Sequence, residues 1–189
     1  GTGLINEGFK GIGIKTNEKY DLSFYARTLK NETMKLKIEI VSDKNDIIES
    51  KEVSINSKSW NKYMITFAPM QTCSKSSIRI TMLTPGVLDI EHISLFPQET
   101  FNNRSNGLRK DLAMALKDLK PGVFRFPGGC IVEGTDLSTR YQWKNTIGPV
   151  ENRPININRW NYTFSHKKFP DYYQSYGLGF YEYFVLSED

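Results

Sequence analysis

The sequence predicts a mixed architecture, an antiparallel β-sandwich followed by an α/β segment. Two observations carry this: hydrophobic residues alternate with a period of two up to about Phe96, and from Ser105 they recur at helical spacing. The change of period divides the chain into residues 1–100 and 101–189, which are expected to be two domains.

In the first half, Tyr20, Leu22, Phe24 and Ala26 fall on one side of an extended run, as do Met34, Leu36, Ile38 and Ile40. Tyr63, Ile65 and Phe67 repeat the pattern, and so do Ile78, Ile80 and Met82. Such alternation sets one face of each strand in a core and the other in water. Polar and glycine- or proline-bearing segments at residues 30–31, 42–46, 56–59, 71–76 and 84–86 supply the turns. In the last run, over residues 87–96, Leu88 and Ile90 are followed out of phase by Ile93 and Leu95. One extra residue produces that shift, so a β-bulge is expected near His92, itself a buried or edge histidine.

In the second half, Leu108, Leu112, Leu116 and Leu119 mark one stripe of a helix, with Ser105 or Asn106 as cap and Pro121-Gly122 as stop. Residues 123–126 then read as a short strand broken off by Pro127-Gly128-Gly129, and a further helix begins near Gly179. About fifty irregular residues lie between Ile131 and Leu178, a length that usually signals function. One parallel-type strand cannot form a sheet alone, so this half reads as the opening of a larger domain.

Composition narrows the function. The chain has 189 residues, 25 Lys and Arg against 21 Asp and Glu, and a formal net charge of +4 spread along its length, which gives no nucleic-acid footprint. No apolar run reaches the length of a membrane span, and no signal peptide is recognisable. Two distant cysteines, Cys73 and Cys130, make neither a disulfide framework nor a metal pair, and no motif for a metal or nucleotide cofactor occurs. Three glycosylation triplets begin at Asn31, Asn103 and Asn161. Aromatic residues are 13% of the chain and crowd between Tyr141 and Phe184; rings in such number suit a core or a sugar-stacking surface. Trp60 is the stacking candidate of the sandwich, with core packing as the alternative.

The run Arg125-Phe126-Pro127-Gly128-Gly129-Cys130 is the leading site candidate, because paired glycines admit close backbone approach to a ligand. An ordinary tight turn is the competing reading. Together with Gly107-Leu108-Arg109-Lys110-Asp111-Leu112, Leu119-Lys120-Pro121, Trp143-Lys144-Asn145-Thr146-Ile147-Gly148-Pro149, Arg153-Pro154, Trp160 and Gly177-Leu178-Gly179-Phe180-Tyr181-Glu182-Tyr183, it resembles the family 51 glycoside hydrolases, the α-L-arabinofuranosidases. Asn6-Glu7-Gly8-Phe9 and residues 20–27 resemble, more weakly, a carbohydrate-binding-module sandwich.

The resemblance implies that residues 101–189 open a truncated (β/α)8 barrel with a long loop after its first strand. It also implies retaining hydrolysis of terminal α-L-arabinofuranosyl groups by two glutamates on later strands, beyond residue 189. Glu133, Asp136, Glu151 and Glu182 match no catalytic motif of the family and are expected to be solvated or structural, so no catalytic residue is assigned here. Gly128, Gly129, Cys130 and Trp160 are the expected substrate-binding residues. Arg125 is expected to bind loop carbonyls or a carboxylate such as Glu182, Arg153-Pro154 to staple the loop, and Trp143 to anchor it. The tyrosine-rich stretch 156–176, with His166, departs from the family pattern and would shape outer subsites. The implied partner is a plant cell-wall polysaccharide or arabino-oligosaccharide, met outside the cytoplasm in a secreted or periplasmic enzyme that needs no cofactor. A stand-alone carbohydrate-binding or structural module is the alternative.

Overall fold

The computed structural model describes residues 2–30, 32–163 and 173–189. The chain divides into two compact units, Gly1–Asp118 and Leu119–Asp189.

The first unit contains eight strands: β1 (Gly3–Asn6), β2 (Ile12–Ile14), β3 (Tyr20–Thr28), β4 (Met34–Ser42), β5 (Ile47–Ile55), β6 (Asn61–Phe67), β7 (Cys73–Met82) and β8 (Leu88–Pro97). All pair antiparallel. One sheet runs β1-β7-β4-β5, with β2 also on β7, and the other runs β6-β3-β8. Tyr20, Leu22, Phe24 and Ala26 of β3 meet Met34, Leu36, Ile38 and Ile40 of β4 in one core between the sheets, completed by Ile55, Phe67, Ile78 and Ile80. The period-two faces predicted from sequence are therefore the core faces of a β-sandwich.

The expected bulge is present. Ser23 pairs with Ser94 and Tyr25 with Glu91, so that two residues of β8, His92 and Ile93, stand opposite Phe24. His92 takes φ 50° and is exposed on a strand at the edge of its sheet. The turn expected over 71–76 is shorter than that, because β7 already starts at Cys73.

The helix of this region differs from its expected form. α1 covers Lys110–Leu119; Asn106 has φ 51° and sits in the preceding loop, and Arg109 supplies the first helical carbonyl, to the Ala113 N–H. Ala113 is buried and Lys117 reaches over the buried Phe101 ring, whereas Leu112, Leu116 and Leu119 are 55%, 39% and 75% exposed. The leucine stripe is an outer face here, and the inward face is the one through Ala113 and Lys117.

The second unit is held by short elements: α2 (Cys130–Glu133), β9 (Asn156–Ile157), α3 (Trp160–Thr163), β10 (Tyr173–Gln174) and α4 (Phe180–Glu188), with 3-10 turns at Trp143–Thr146 and Val150–Asn152. The strand expected over residues 123–126 is not formed among the described residues, since no neighbouring strand offers it a ladder; Val123 is 85% exposed. α4 begins where the sequence placed it, with Gly179 as N-cap. No helix of the described residues is long and apolar enough to cross a membrane.

Candidate functional site

The second unit is built on rings. Phe126 stacks on Tyr183 at 3.8 Å between centroids and meets Tyr141 and Phe180 edge-on at 5.8 and 5.7 Å. Tyr141 in turn meets Tyr176 at 5.0 Å, and Trp143 meets Phe180 at 6.2 Å. Edge-to-face and offset arrangements of this kind suit the ring quadrupole. Burial pushes the Tyr141 hydroxyl up to about 12, helped by Tyr176, so it stays protonated at neutral pH and serves as packing rather than as a base.

A single guanidinium ties the loop together. Arg153 Nε and Nη2 donate to the Gly148 carbonyl at 3.0 and 2.8 Å, and Nη1 donates to the Tyr176 carbonyl at 2.8 Å. Nη1 and Nη2 also grip the Glu182 carboxylate at 3.0 and 2.6 Å, the forked geometry that lysine cannot reproduce. Glu182 accepts a further bond from the Gly179 N–H at 2.7 Å, which caps α4. Burial raises the Glu182 carboxyl, but the Arg153 and backbone hydrogen bonds outweigh it, and the net shift is downward. Arg153 is thus the staple the sequence suggested. The Glu182 carboxylate expected for Arg125 is held by the buried Arg153 instead, while Arg125 is exposed.

Arg125, Gly128, Gly129 and Cys130 are solvent-exposed, with Phe126 and Pro127 half-buried between them. Gly128 has φ 115°, a conformation that a side chain rarely adopts, with open space where a Cβ would be. The Gly129 carbonyl accepts from the Val132 N–H at 2.8 Å, so the glycines lead straight into α2, whose first residue is Cys130. The last residue of α2, Glu133, receives Arg159 Nη1 at 2.6 Å. Asn158 Oδ1 accepts from the Trp160 N–H at 3.0 Å and starts α3. The half-buried Trp160 is therefore linked, through its neighbour Arg159, to the helix that Cys130 opens. Trp143 is 51% exposed and joins the frame through Phe180 and through its carbonyl, which accepts from Thr146 Oγ1 at 2.6 Å.

Three of the local carboxylates have partners that hold local structure. Glu133 is paired with Arg159 and Glu182 with Arg153. Asp136 accepts from the Ser138 hydroxyl at 2.6 Å and from the Ser138 and Thr139 N–H groups at 2.8 and 3.0 Å, bonds that hold it below the usual carboxylate range. Glu151 sits in the 3-10 turn Val150–Asn152. No group of three or more His, Cys, Asp or Glu among the described residues could hold a metal ion. His166 and residues 164–172 lie outside the described residues.

Sequence reasoning missed Thr146, Asn158 and Arg159. Buried Thr146 accepts from the Phe180 N–H at 3.0 Å while donating to Trp143, joining the loop to the start of α4. The signal was present for Asn158 alone, a side chain favoured at helix starts two residues before an aromatic run.

Comparison with known proteins places these elements. The family profile described as the α-L-arabinofuranosidase 1 domain matches residues 115–189. The chain is 36% identical over 201 residues to the extracellular exo-α-L-arabinofuranosidase of Streptomyces chartreusis, covering all of this chain and 22% of that protein. It is 31% identical over 194 residues to α-L-arabinofuranosidase 1 of Arabidopsis thaliana, again over the whole chain and 26% of the relative. An arabinose-bound family 51 α-L-arabinofuranosidase superposes with a TM-score of 0.85 at 28% identity, over 99% of this chain and 30% of that one. The chain thus spans about a quarter of the length of the curated relatives it matches. From one end to the other the chain is similar, in sequence and in fold, to a segment of the family 51 α-L-arabinofuranosidases.

Proposed function

We propose that the chain is part of a secreted enzyme that removes terminal α-L-arabinofuranosyl groups from arabinan or arabinoxylan side chains with retention of configuration. The observation that carries this is the full-length similarity to the Streptomyces and Arabidopsis arabinofuranosidases, joined to the match of residues 115–189 to their domain. In this reading the two catalytic glutamates are supplied by later strands, roughly 5 Å apart as retaining chemistry requires. Glu182, Glu133 and Asp136 are already committed to Arg153, Arg159 and the Ser138–Thr139 turn, which supports leaving these three out of the reaction.

Within that enzyme, residues 101–189 open a (β/α)8 barrel and residues 123–126 become its first strand once neighbours pair with it. The exposed stripe of α1 and exposed Val123 and Phe124 are what such a barrel would cover. Gly128 and Gly129 bring the backbone to the sugar, Cys130 shapes the pocket with a weakly polar thiol, and Trp160 borders the leaving-group side. The name of the Streptomyces relative, an extracellular enzyme, supports the extracellular setting.

The test is turnover of 4-nitrophenyl α-L-arabinofuranoside. The 189-residue chain is expected to show none, and a polypeptide extending it to the length of its relatives is expected to show it. Turnover by the chain alone would refute the placement of the glutamates; its absence from the extended polypeptide would refute the assignment.

A further inference from the structure

The two sheets of the sandwich are unequal. One is four strands across, β1-β7-β4-β5, with β2 continuing along the β1 side of β7, and the other is three across, β6-β3-β8. At one edge the sheets close on each other: the Ala68 N–H, just after β6, donates to Glu49 Oε2 of β5 at 2.7 Å. The difference of one strand therefore falls at the other edge, where β1 and β8 end the two sheets.

Exposure records that difference. Leu4 of β1 pairs with Ile80 of β7, and directly paired residues of an antiparallel ladder share a face, so Leu4 points to the interior side. Ile80 is 5% exposed and Ile38, next across the sheet, 0%, yet Leu4 is 54% exposed. On the facing sheet Ala26 of β3 is fully buried, whereas its partner Ile90 on β8 is half-buried, as is Leu88. Leu4, Ile80, Met82, Leu88 and Ile90 line one cleft of about 540 Å³. Beside it runs β8, which pairs only with β3 among the described residues and so offers a row of main-chain N–H and C=O groups along its other side. Trp60 takes no part in this interior cleft: it is 39% exposed beneath the Arg27 guanidinium, which pairs with Asp89 on the outer face of β3 and β8.

We propose that this cleft is filled by one further β-strand, which pairs with β8 and lies over β1, and that the strand belongs to the same polypeptide outside residues 1–189. The cleft is one strand wide: a strand beside β8 at the usual ~4.8 Å spacing comes opposite β1, the fourth position of the facing sheet. The main-chain groups that border it are satisfied by an extended backbone and not by a helix, whose own groups are already paired. The chain spans about a quarter of the length of its curated relatives, so a longer protein of this kind has ample chain to supply the strand in cis. Its sequence is constrained in turn. Apolar residues at alternate positions face Leu4 and Ile80, and lysine, arginine or threonine suits the other face, beside Asp89 and Glu91. The inference rests on the proposed function only in taking the chain as part of a longer polypeptide.

The experiment is maleimide labelling, read residue by residue by mass spectrometry, of Leu4→Cys and Ile5→Cys. Each is made in the 189-residue chain and in a polypeptide extending it to the length of its relatives. The two positions are both exposed and lie on opposite faces of β1, Leu4 beside Ile80 and Ile5 beside Arg79. In the 189-residue chain both cysteines should react readily. In the extended polypeptide Leu4→Cys should react at least about tenfold more slowly, since labelling then requires local opening, and Ile5→Cys should react as before. Hydrogen exchange along β8, measured without either substitution, should slow in the extended polypeptide as well. Equal labelling of Leu4→Cys in the two polypeptides, or equal exchange along β8, would overturn the inference. So would protection of Leu4→Cys that appears in the 189-residue chain as its concentration is raised, which would give the cleft to a second copy. The turnover assay decides the catalytic assignment independently of these results.

Discussion

Replacing Arg153 by alanine should unfold the second unit more readily than any other single exchange in its loop. The side chain is 2% exposed and makes five hydrogen bonds of 3.0 Å or less to three acceptors: the Gly148 carbonyl, the Tyr176 carbonyl and the Glu182 carboxylate. Alanine leaves all three without this donor. Two stranded carbonyls cost about 1 kcal/mol each, and orphaning the carboxylate adds a penalty reduced because Glu182 is 26% exposed. The sum is about 3 kcal/mol, at the low end of the roughly 3–5 kcal/mol for breaking a buried ion pair. Urea unfolding followed by fluorescence in a Trp60→Phe background reports Trp143 and Trp160 alone, both in the second unit. Arg153→Lys, which keeps the charge and loses the fork, should fall between wild type and alanine. A loss below about 0.5 kcal/mol for Arg153→Ala, the scale of an ordinary surface substitution, would refute the staple.

The same pair makes the second unit acid-sensitive. Because the folded Glu182 carboxyl titrates below its ordinary value, its contribution is complete above that value and is lost as pH falls through the folded one, so Glu182→Gln should flatten the acid limb of a stability–pH curve. Leu36→Ala in the sandwich, at 0% exposure, should cost about 3 kcal/mol by urea unfolding of the first unit. Gly179→Ala should destabilise by about 1–3 kcal/mol, since its Cβ would lie 2.4 Å from Thr146 Cβ and 2.5 Å from the Thr146 carbonyl oxygen; hydrogen exchange at the α4 amides is the readout. In native protein Cys130, which is exposed, should react with Ellman's reagent well before the half-buried Cys73, and alkylation of C130S should show only the slower phase.

The sandwich was largely legible because its strands alternate cleanly, and alternation is a statement about faces: Leu22 and Phe24, Leu36 and Ile38 could only share an interior. β5 escaped notice since its inward positions opposite Ile38 and Ile40 are Lys51 and Glu49, which satisfy each other at 3.1 Å while Glu49 accepts from the Ala68 N–H at 2.7 Å. No hydropathy pattern reveals a charged pair facing a core at an edge. β1 escaped for another reason, as all four of its residues are exposed. In the second unit, the assignment of Glu182 to Arg153 rather than Arg125 depended on which arginine reaches the carboxylate, a matter of chain path and not of residue type. The leucine stripe of α1 misled for a physical reason too: periodicity tells which side of a helix is apolar, not that anything within the same chain lies against it.

The inward Lys51 and Glu49 of β5 bear on how this protein behaves at high concentration. An outermost strand that presents unspent amide and carbonyl groups invites intermolecular zippering, and charges aimed at the interior make a stacked neighbour pay for stranding them. That rim of the sandwich should resist fibrillar self-assembly, leaving the opposite edge strand of the same sheet, the exposed β1, as the side from which aggregation would start if the molecule were stressed.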